Sequence, residues 1–274
     1  MDTIQERAYA KLNLTLGVLF KRTDGYHALD TLMQTIDLYD TVTIDRDAQI
    51  SVTSTGMMLP YNNTLRRAAL AYQAYTGRGA SIRVIKRIPA ESGMGGGSAD
   101  AAAVLRGMQQ LYGALDDAAL KEIALFVGAD VPFCLKGGLQ RAQGVGEELT
   151  PLASTDMTFA IAKPAEGVST QQLFYSLPLP QKLPETGKAI AAITAGDLHA
   201  LGPLLFNALE ETAAESVPEI SALHQRFIEL GALGAAMTGS GSTVFGLFET
   251  AQAARKALEA VKGDVAFARI CKAV

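Results

Sequence analysis

A glycine-rich stretch that opens a helix constrains this chain more than any other feature. Residues 89–103 are PAESGMGGGSADAAA, with four glycines among the five residues 93–97. Glycine has no Cβ atom, so the N–H groups of such a loop can turn toward a ligand, although folding then costs more backbone entropy. Ser98 is a suitable N-cap, and Asp100 in the first turn complements the helix dipole. The pattern predicts a helix that begins near Ser98 with an anion at its N-terminus.

Other glycine motifs do not match this spacing. A Walker A loop has a lysine after its last glycine, and a dinucleotide fingerprint opens a βαβ unit, whereas the strands before this loop have an antiparallel pattern. A protein-kinase loop is accompanied by HRD and DFG segments, which this sequence lacks. A tight turn would need only one or two glycines, so four favour a nest of amides around a phosphate.

Composition excludes several classes of function. The net charge is -4, and lysines and arginines are scattered without a basic stripe, so nucleic acid is not expected as a partner. The acidic N-terminus and the absence of a long apolar run predict a cytoplasmic protein without a membrane span. Cys134 and Cys271 are far apart, which is typical of buried thiols in a reducing compartment. A monomer or weak homodimer is expected.

Periodicity predicts alternating helices and strands. Residues 8–18 alternate between apolar and polar, which predicts a half-buried strand with Lys11 and Asn13 on its polar face, away from the core. Further strands are predicted at 41–47, 48–54, 81–89, 159–164, 234–239, 243–248 and 265–270, and helices at 62–76, 98–112, 116–127, 170–175, 187–207, 216–230 and 250–262. A polar join at 149–157 places a domain boundary near residue 155, giving domains 1–155 and 156–274.

Two side chains outside the loop are candidates for catalysis. Asp130 precedes Val-Pro-Phe, and because Pro132 favours extended backbone at Val131, it is expected to lead into an apolar strand. A carboxylate that accepts or orients a proton and a cation that favours the alkoxide would together assist phosphoryl transfer to a hydroxyl. Lys11 and Asp130 could form such a pair, but a lysine on a polar face is more often solvated and a lone aspartate is more often a turn residue. Spacing leaves open whether the two meet.

Several separate segments resemble the GHMP kinases, the family of galactose, homoserine, mevalonate and phosphomevalonate kinases. PAESGMGGGSADAAA resembles their phosphate-binding motif, and MTGSGSTVFGLF at 237–248 resembles their C-terminal glycine motif. AYAKLNLTLGVLFKRTDGYHALDTLMQTIDLYD, GADVPFCLKGGLQRAQGVGEELTPL and KPAEGVST are similar to one branch of this family, whose acceptor is a cytidine diphosphate-linked polyol. The resemblance covers most of the chain and is weakest at 176–203.

The resemblance implies an α+β, two-domain GHMP kinase fold with the active-site cleft between the domains. It also implies that ATP and Mg²⁺ are the donor pair and that the 2-hydroxyl of the polyol is phosphorylated, in the non-mevalonate route to isoprenoid precursors. Two rival functions are a GHMP kinase for another alcohol, such as homoserine or mevalonate, and a nucleotide-binding regulator without turnover.

Residue roles follow from the resemblance by position. Lys11 and Asp130 match the catalytic pair, so that Asp130 accepts or orients the hydroxyl proton while Lys11 stabilises the developing charge. The ATP-binding positions are Pro89, Gly93, Gly95, Gly96, Gly97, Ser98, Asn63 and Lys86, with the Ser98 hydroxyl also directed at Mg²⁺. The acceptor-binding positions are Asn13, Tyr26, His27, Phe174, Gly239, Ser240 and Gly241, with Tyr175 as the alternative to Phe174 for stacking on cytosine. From the residues alone, Gly239–Gly241 could equally be a tight hairpin and Tyr26 and His27 could simply flank a turn.

Overall fold

The computed structural model describes residues 3–179 and 182–274 and has the mixed α+β content expected from the sequence. The strands are β1 (Thr3–Lys21), β2 (His27–Asp47), β3 (Ser51–Thr55), β4 (Gly79–Ile85), β5 (Leu139–Gly144), β6 (Glu148–Leu152), β7 (Thr158–Lys163), β8 (Phe206–Asn207), β9 (Gly234–Met237), β10 (Val244–Phe248) and β11 (Phe267–Lys272). The helices are α1 (Thr64–Thr76), α2 (Gly96–Tyr112), α3 (Asp117–Val127), α4 (Val131–Lys136), α5 (Thr170–Ser176), α6 (Thr186–Ala195), α7 (Leu198–Leu201), α8 (Glu210–Ser216), α9 (Glu219–Glu229) and α10 (Ala251–Val261), with a 3₁₀ turn at Gly202–Leu204.

The chain divides into two compact units, each built from separated segments. The first unit comprises the chain up to Ala10, Leu38–Pro89 and Gly95–Gly137, and the second comprises Lys11–Asp37, Ala90–Met94 and Gly138–Val274. The expected division into domains at residue 155 stays a prediction. No helix within 3–179 or 182–274 is long and apolar enough to cross a bilayer.

The first unit packs helices α1, α2 and α3 on a small sheet. β4 pairs in parallel with β3 and antiparallel with the second half of β2, in the register Thr41 to Ile85. The alanines of α2 are buried in one apolar cluster with the branched side chains of β2 and β4. Gly107 lets α2 approach closely, because a Cβ atom there would lie 2.4 Å from Cδ1 of Ile44.

The second unit contains a four-stranded antiparallel sheet in the order β11-β7-β10-β9. Its central strands β7 and β10 are almost wholly buried, and helices α8, α9 and α10 contribute to the same apolar cluster. In this unit β5 also pairs with residues 29–34 of β2 and with β6, and β8 pairs in parallel with β1 at Thr15 and Leu16.

Most sequence-based elements are confirmed, and the exceptions have local causes. The helix predicted at 187–207 is interrupted, because Gly196 adopts a left-handed conformation and Asp197 then caps α7. The helix predicted at 216–230 is preceded by α8, and Pro218 begins α9 as a separate helix. The strand expected after Asp130 is wrong: Val131 is helical and starts α4. Proline is tolerated in the first turn, where its missing N–H is not needed.

Candidate active site

The glycine loop ends where α2 begins, and here the predicted start was wrong by two residues. Gly95 is the N-cap in a left-handed conformation (φ 71°), and Ser98 is the third helical residue rather than the cap. This backbone conformation favours glycine at position 95. The first bond of the helix ladder runs from Ala99 N–H to the Gly95 carbonyl (2.9 Å). The amides of Gly96, Gly97 and Ser98 therefore precede the ladder, in the geometry that binds anions at helix N-termini.

Neighbouring elements of the first unit hold the start of α2. Thr64, the first residue of α1, donates its hydroxyl hydrogen bond to the Gly97 carbonyl (2.6 Å). The Ser98 Oγ atom lies beside Gly128, 4.0 Å from the position that a Cβ atom would take there. Ser98 is thus close to the short loop that leads to Asp130. Pro89 is the last residue of the Leu38–Pro89 segment of the first unit and is partly buried.

A buried cluster of three charges, which we call the Lys86 triad, lies behind the loop. The Lys86 ammonium contacts Asp40 and lies 2.6 Å from Asp100, and the three side chains are 6%, 0% and 1% exposed, respectively. Asp40 also accepts hydrogen bonds from the backbone N–H groups of Arg87 and Ile88. Asp100 therefore pairs with a cation. The prediction that it complements the helix dipole is wrong, because Asp100 lies beyond the first turn of α2.

Burial changes the acidity of the triad. It raises the pKa of Asp100 from 3.8 to about 7, even though Lys86 opposes this rise. Burial by itself would lower the pKa of Lys86, but the two carboxylates outweigh it and raise that pKa. One ammonium leaves the second carboxylate uncompensated, and within the described residues no group donates a hydrogen bond to Oδ1 of Asp100.

A pocket of about 730 Å³ opens in the same unit, between β3 and the start of α1. Asn63 lines it and caps α1, since its side-chain oxygen accepts from Arg66 N–H (3.0 Å) and its amide donates to the Pro60 carbonyl (2.9 Å). Tyr61 and Arg66 line it as well, with the guanidinium 4.3 Å from the centre of the tyrosine ring. The pocket is thus lined by the stacked planar groups of Tyr61 and Arg66 and by the side-chain amide of Asn63.

Asp130 occupies the N-cap position of α4 in the first unit and is partly exposed. Its backbone is αR, and its carbonyl accepts from Cys134 N–H (3.1 Å). The carboxylate is thereby presented at the start of a helix and not, as predicted, ahead of a strand.

In the second unit, the polar face of β1 is buried, which contradicts the expectation that Lys11 and Asn13 point away from the core. Both residues are 3% exposed. Lys11 N–H bonds to the Met94 carbonyl (3.0 Å) and Asn13 N–H to the Thr238 hydroxyl (3.0 Å). The Lys11 ammonium donates to the Asn13 side-chain oxygen at 2.5 Å. The Asn13 amide in turn donates to Thr31 (2.8 Å). Lys11 is therefore held in one direction by a network of hydrogen bonds.

The turn Gly239–Gly241 joins β9 to β10 and lies directly against Lys11. Gly239 has a positive φ of 55°, and a Cβ atom there would lie 2.6 Å from the Gly93 carbonyl and 3.1 Å from the Lys11 ammonium. The Ser240 hydroxyl lies 2.6 Å from that of Thr170, at the start of α5. The segment is a tight hairpin, as one alternative held, and it also brings Gly93, Gly239 and Lys11 together.

Two of the predicted recognition rings are neighbours. The His27 and Phe174 ring centres are 5.2 Å apart with an angle of 31° between their planes. Burial, with a smaller effect of Lys21, lowers the pKa of His27, which favours the neutral ring. Tyr26 and Tyr175 are 66% and 90% exposed, whereas Phe174 is partly buried. The choice of Phe174 over Tyr175 stays a prediction, and so do the other assigned roles.

Sequence reasoning missed several polar residues around these groups. Asp40 and Thr238 make buried contacts to Lys86 and Asn13, yet nothing in the spacing of the chain singles them out. The Thr238 hydroxyl stands inside the C-terminal glycine motif and could have been noted there. His224 of α9 lies 2.5 Å from Glu210, the first residue of α8.

Comparison with known proteins finds a family match in each half of the chain. Residues 63–138 match the GHMP kinases N terminal domain, and residues 189–265 match the GHMP kinases C terminal model. The chain is 42% identical over 261 residues to a 4-diphosphocytidyl-2-C-methyl-D-erythritol kinase of Clostridioides difficile, covering 91% of this chain and 88% of the relative. It is 41% identical over 266 residues to the kinase of the same name from Caldicellulosiruptor saccharolyticus, covering 93% and 92%.

Solved structures agree with these relatives. A crystal structure of 4-(cytidine 5'-diphospho)-2C-methyl-D-erythritol kinase matches with a TM-score of 0.85 and 36% identity, covering 98% of each chain. Homoserine kinase from Cytophaga hutchinsonii matches with a TM-score of 0.77 at 21% identity, covering 100% of this chain and 95% of the other. At that identity the second match supports the fold alone.

Proposed function

Since the chain belongs to the 4-diphosphocytidyl-2-C-methyl-D-erythritol kinases of the GHMP family, we propose that it transfers the γ-phosphate of ATP to the 2-hydroxyl of 4-diphosphocytidyl-2-C-methyl-D-erythritol. This reaction belongs to the non-mevalonate route to isoprenoid precursors. The glycine loop, whose amides precede the α2 ladder at Gly95, supports the phosphate donor, and the identity of 41–42% to kinases of this name supports the acceptor. The rival assignments, another alcohol acceptor or a regulator without turnover, have no observation in their favour.

The donor half of the proposal uses the first unit. The amides of Gly95, Gly96 and Gly97 cradle the triphosphate, where the helix dipole favours negative charge. The pocket lined by Asn63 accepts the adenosine, since about 730 Å³ is a typical volume for a small-molecule site. The Lys86 ammonium lies beside Gly96 and, as part of the Lys86 triad, supports the glycine loop from behind. Its ammonium is already paired with two carboxylates, so we assign it an indirect role in ATP binding.

Magnesium fits the loop as a partner of the phosphates. The described residues contain no group of three or more His, Cys, Asp and Glu side chains arranged to hold a metal ion. Mg²⁺ keeps several waters and relies on few protein oxygens together with substrate phosphates. The Ser98 hydroxyl at the third position of α2 suits such a site. When bound, the ion would neutralise charge on the β- and γ-phosphates.

The acceptor half uses Lys11, Asn13 and the aromatic pair of the second unit. The buried ammonium of Lys11 stabilises negative charge that develops on the 2-hydroxyl oxygen, because few waters screen it there. Asn13 fixes the direction of that ammonium. Asp130 accepts or orients the proton of the hydroxyl. Tyr26, His27 and Phe174 recognise the cytosine by stacking and by its hydrogen-bonding edge, and the Gly239–Gly241 turn borders the polyol.

The test is acceptor-dependent release of ADP by the purified protein with ATP and Mg²⁺. We expect release with 4-diphosphocytidyl-2-C-methyl-D-erythritol and none with homoserine, mevalonate or galactose. Asp130→Asn should lower kcat by about 10²- to 10⁴-fold, the usual contribution of a general base, whereas the exposed Asp264→Asn should not change it. Release with another alcohol would overturn the acceptor, and ATP binding without any release would support the regulator. Action in the cytoplasm as a monomer or weak homodimer stays a prediction.

A further inference from the structure

One short segment of the second unit contacts the Gly239–Gly241 turn from behind. β8 ends at Asn207 and α8 begins at Glu210, so a four-residue stretch carries two polar side chains that both contact the end of β9. Asn207 is 6% exposed and the side chain of Glu210 is 15% exposed. Neither residue is singled out by periodicity or by a motif, and the roles assigned above do not include them.

Asn207 contacts the turn through both hydrogens of its amide. Its Nδ2 atom donates to the Met237 carbonyl (2.7 Å) and to the Gly239 carbonyl (2.9 Å). Its Oδ1 atom accepts from Leu209 N–H (2.9 Å), which fixes the orientation of the amide. The two bonded carbonyls flank Thr238, the residue whose hydroxyl accepts from Asn13 N–H.

Glu210 bonds the same residue of β9, Met237, through that residue's backbone N–H. Its Oε2 atom accepts from Met237 N–H at 2.7 Å, and its Oε1 atom lies 2.5 Å from Nδ1 of His224. Met237 therefore has its N–H and its carbonyl bonded by Glu210 and Asn207, respectively. The end of β9 is held by two side chains, so its displacement requires several hydrogen bonds to break together.

The position of this turn matters because Gly239 adjoins the Lys11 ammonium. The backbone leaves so little room that a single added methyl carbon would lie 3.1 Å from Nζ of Lys11 and 2.6 Å from the Gly93 carbonyl. A shift of the turn by a few tenths of an ångström would change the surroundings of the ammonium directly. Displacements of about 1 Å at a reacting group can cost on the order of 10²-fold in rate.

We propose that Asn207, supported by Glu210, is a positioning residue for phosphoryl transfer, which holds the Gly239 turn in place beside Lys11. The proposal rests on the proposed function, since it takes Lys11 to be the group that stabilises the reacting oxygen. Asn207 itself contacts no substrate in this account. Its effect passes through the Met237 and Gly239 carbonyls to the turn, and from Gly239 to Lys11.

Asn207→Asp is the most direct perturbation. Aspartate has nearly the same shape and keeps the oxygen that accepts from Leu209, but it replaces the donating NH₂ by an oxygen that faces two carbonyl oxygens. We expect kcat for the cytidyl acceptor to fall by about 10- to 100-fold, while the Kd and the stoichiometry of ATP binding stay within about twofold of wild type by calorimetry. Gln225→Glu, the same change of an amide to an acid on the exposed face of α9, is the control and should leave kcat unchanged.

A double-mutant cycle with Lys11→Met distinguishes positioning from a general loss of structure. If Asn207 acts through Lys11, the Asn207→Asp change should slow the Lys11→Met enzyme by less than about twofold, because the group being positioned is gone. Independent structural damage would instead slow both backgrounds by the same factor. Asn207→Ser, which removes both amide donors with a smaller side chain, gives the same comparison if the aspartate variant does not fold.

The outcomes separate this proposal from the assignment of the reaction. Absence of ADP release by the wild-type protein with any acceptor would overturn the proposed function. Release by wild type with an unchanged kcat in Asn207→Asp would overturn the positioning role alone. Equal slowing of the wild-type and Lys11→Met backgrounds would also overturn it, and a kcat loss confined to the background that retains Lys11 would establish it.

Discussion

The Lys86 triad makes a quantitative prediction about pH and stability. Replacing Asp100 by asparagine removes the carboxylate that titrates and leaves Lys86 paired with Asp40. In the folded wild type the pKa of Asp100 is raised from 3.8 to about 7 by burial. Between these pH values the folded chain binds more protons than the unfolded chain, so the free energy of unfolding falls as pH rises. The loss is complete once the pH has risen through the folded pKa.

The size of the effect follows from the shift. Three pKa units at 1.36 kcal/mol each give about 4 kcal/mol, of which about 3 kcal/mol falls between pH 5 and pH 8. Asparagine does not titrate, so the stability of wild type relative to Asp100→Asn should decrease by about 3 kcal/mol over that interval. The prediction concerns this change with pH and is independent of which protein is more stable at either pH.

Urea unfolding at pH 5 and pH 8 measures the change. The chain has no tryptophan, so far-UV circular dichroism is the appropriate signal, with stabilities obtained from midpoints and slopes. Asp45→Asn is the matched control, because Asp45 pairs with Arg83 at the surface and such pairs contribute about 0–1 kcal/mol. A stability difference between wild type and Asp100→Asn that is the same at both pH values would refute the reasoning about buried charge.

Three further predictions concern the second unit. Gly239→Ala should lower kcat by about tenfold or more, since alanine is strained by about 1 kcal/mol at positive φ and its methyl carbon would crowd Gly93 and Lys11. Initial-rate assays check this, with Gly263→Ala as control because a Cβ atom at Gly263 meets no neighbouring atom of the described residues. An unchanged kcat in Gly239→Ala would contradict the prediction. Phe174→Leu should raise the KM for the cytidyl acceptor by about 5- to 100-fold, the worth of one stacked base, with kcat nearly unchanged; a larger effect of Tyr175→Leu in the same assay would reassign the stacking ring. The hydrogen bond from His224 to Glu210 raises the pKa of His224, so its stabilisation is complete below pH 6.5 and is lost as pH rises through the folded pKa. His224→Gln should therefore lower Tm more at pH 5.5 than at pH 8.5 in thermal melts, and an equal loss at both would argue against the ion pair.

The sequence predicts elements well where the cause is local. α1 and α3 begin directly after Asn63 and Asp116, whose side chains cap the first turn, and α3 ends directly before Gly128, as expected. The glycine loop was also located correctly, because four glycines before an alanine-rich helix leave few alternatives. The predicted N-cap, Ser98, is wrong by three residues, since the left-handed Gly95 supplies the cap that a serine usually supplies.

The missed features depend on contacts between distant residues. Lys11 and Asn13 have the alternating pattern of a solvated strand face, yet both are buried and bond to the distant residues Met94 and Thr238. Val131 precedes a proline and would be extended in an isolated peptide, but the first turn of α4 accommodates the ring. Asp40 meets Lys86 from 46 residues away. No pattern confined to a window of ten or twenty residues contains that information.

The interleaving of the two units has a consequence for folding during synthesis. All segments of the first unit have been translated once Gly137 is complete, whereas the second unit needs Gly138–Val274 to cover Lys11–Asp37. Phe206 and Asn207 reach Thr15 and Leu16 of β1 only after almost two hundred further residues, which takes on the order of 10–40 s at ribosomal rates of about 5–20 residues per second. The segment that carries Lys11 therefore stays without its native contacts longer than the start of α2 does. On a translating ribosome, the amides of residues 95–98 can be in place while the acceptor side is still an exposed nascent chain that chaperones can bind.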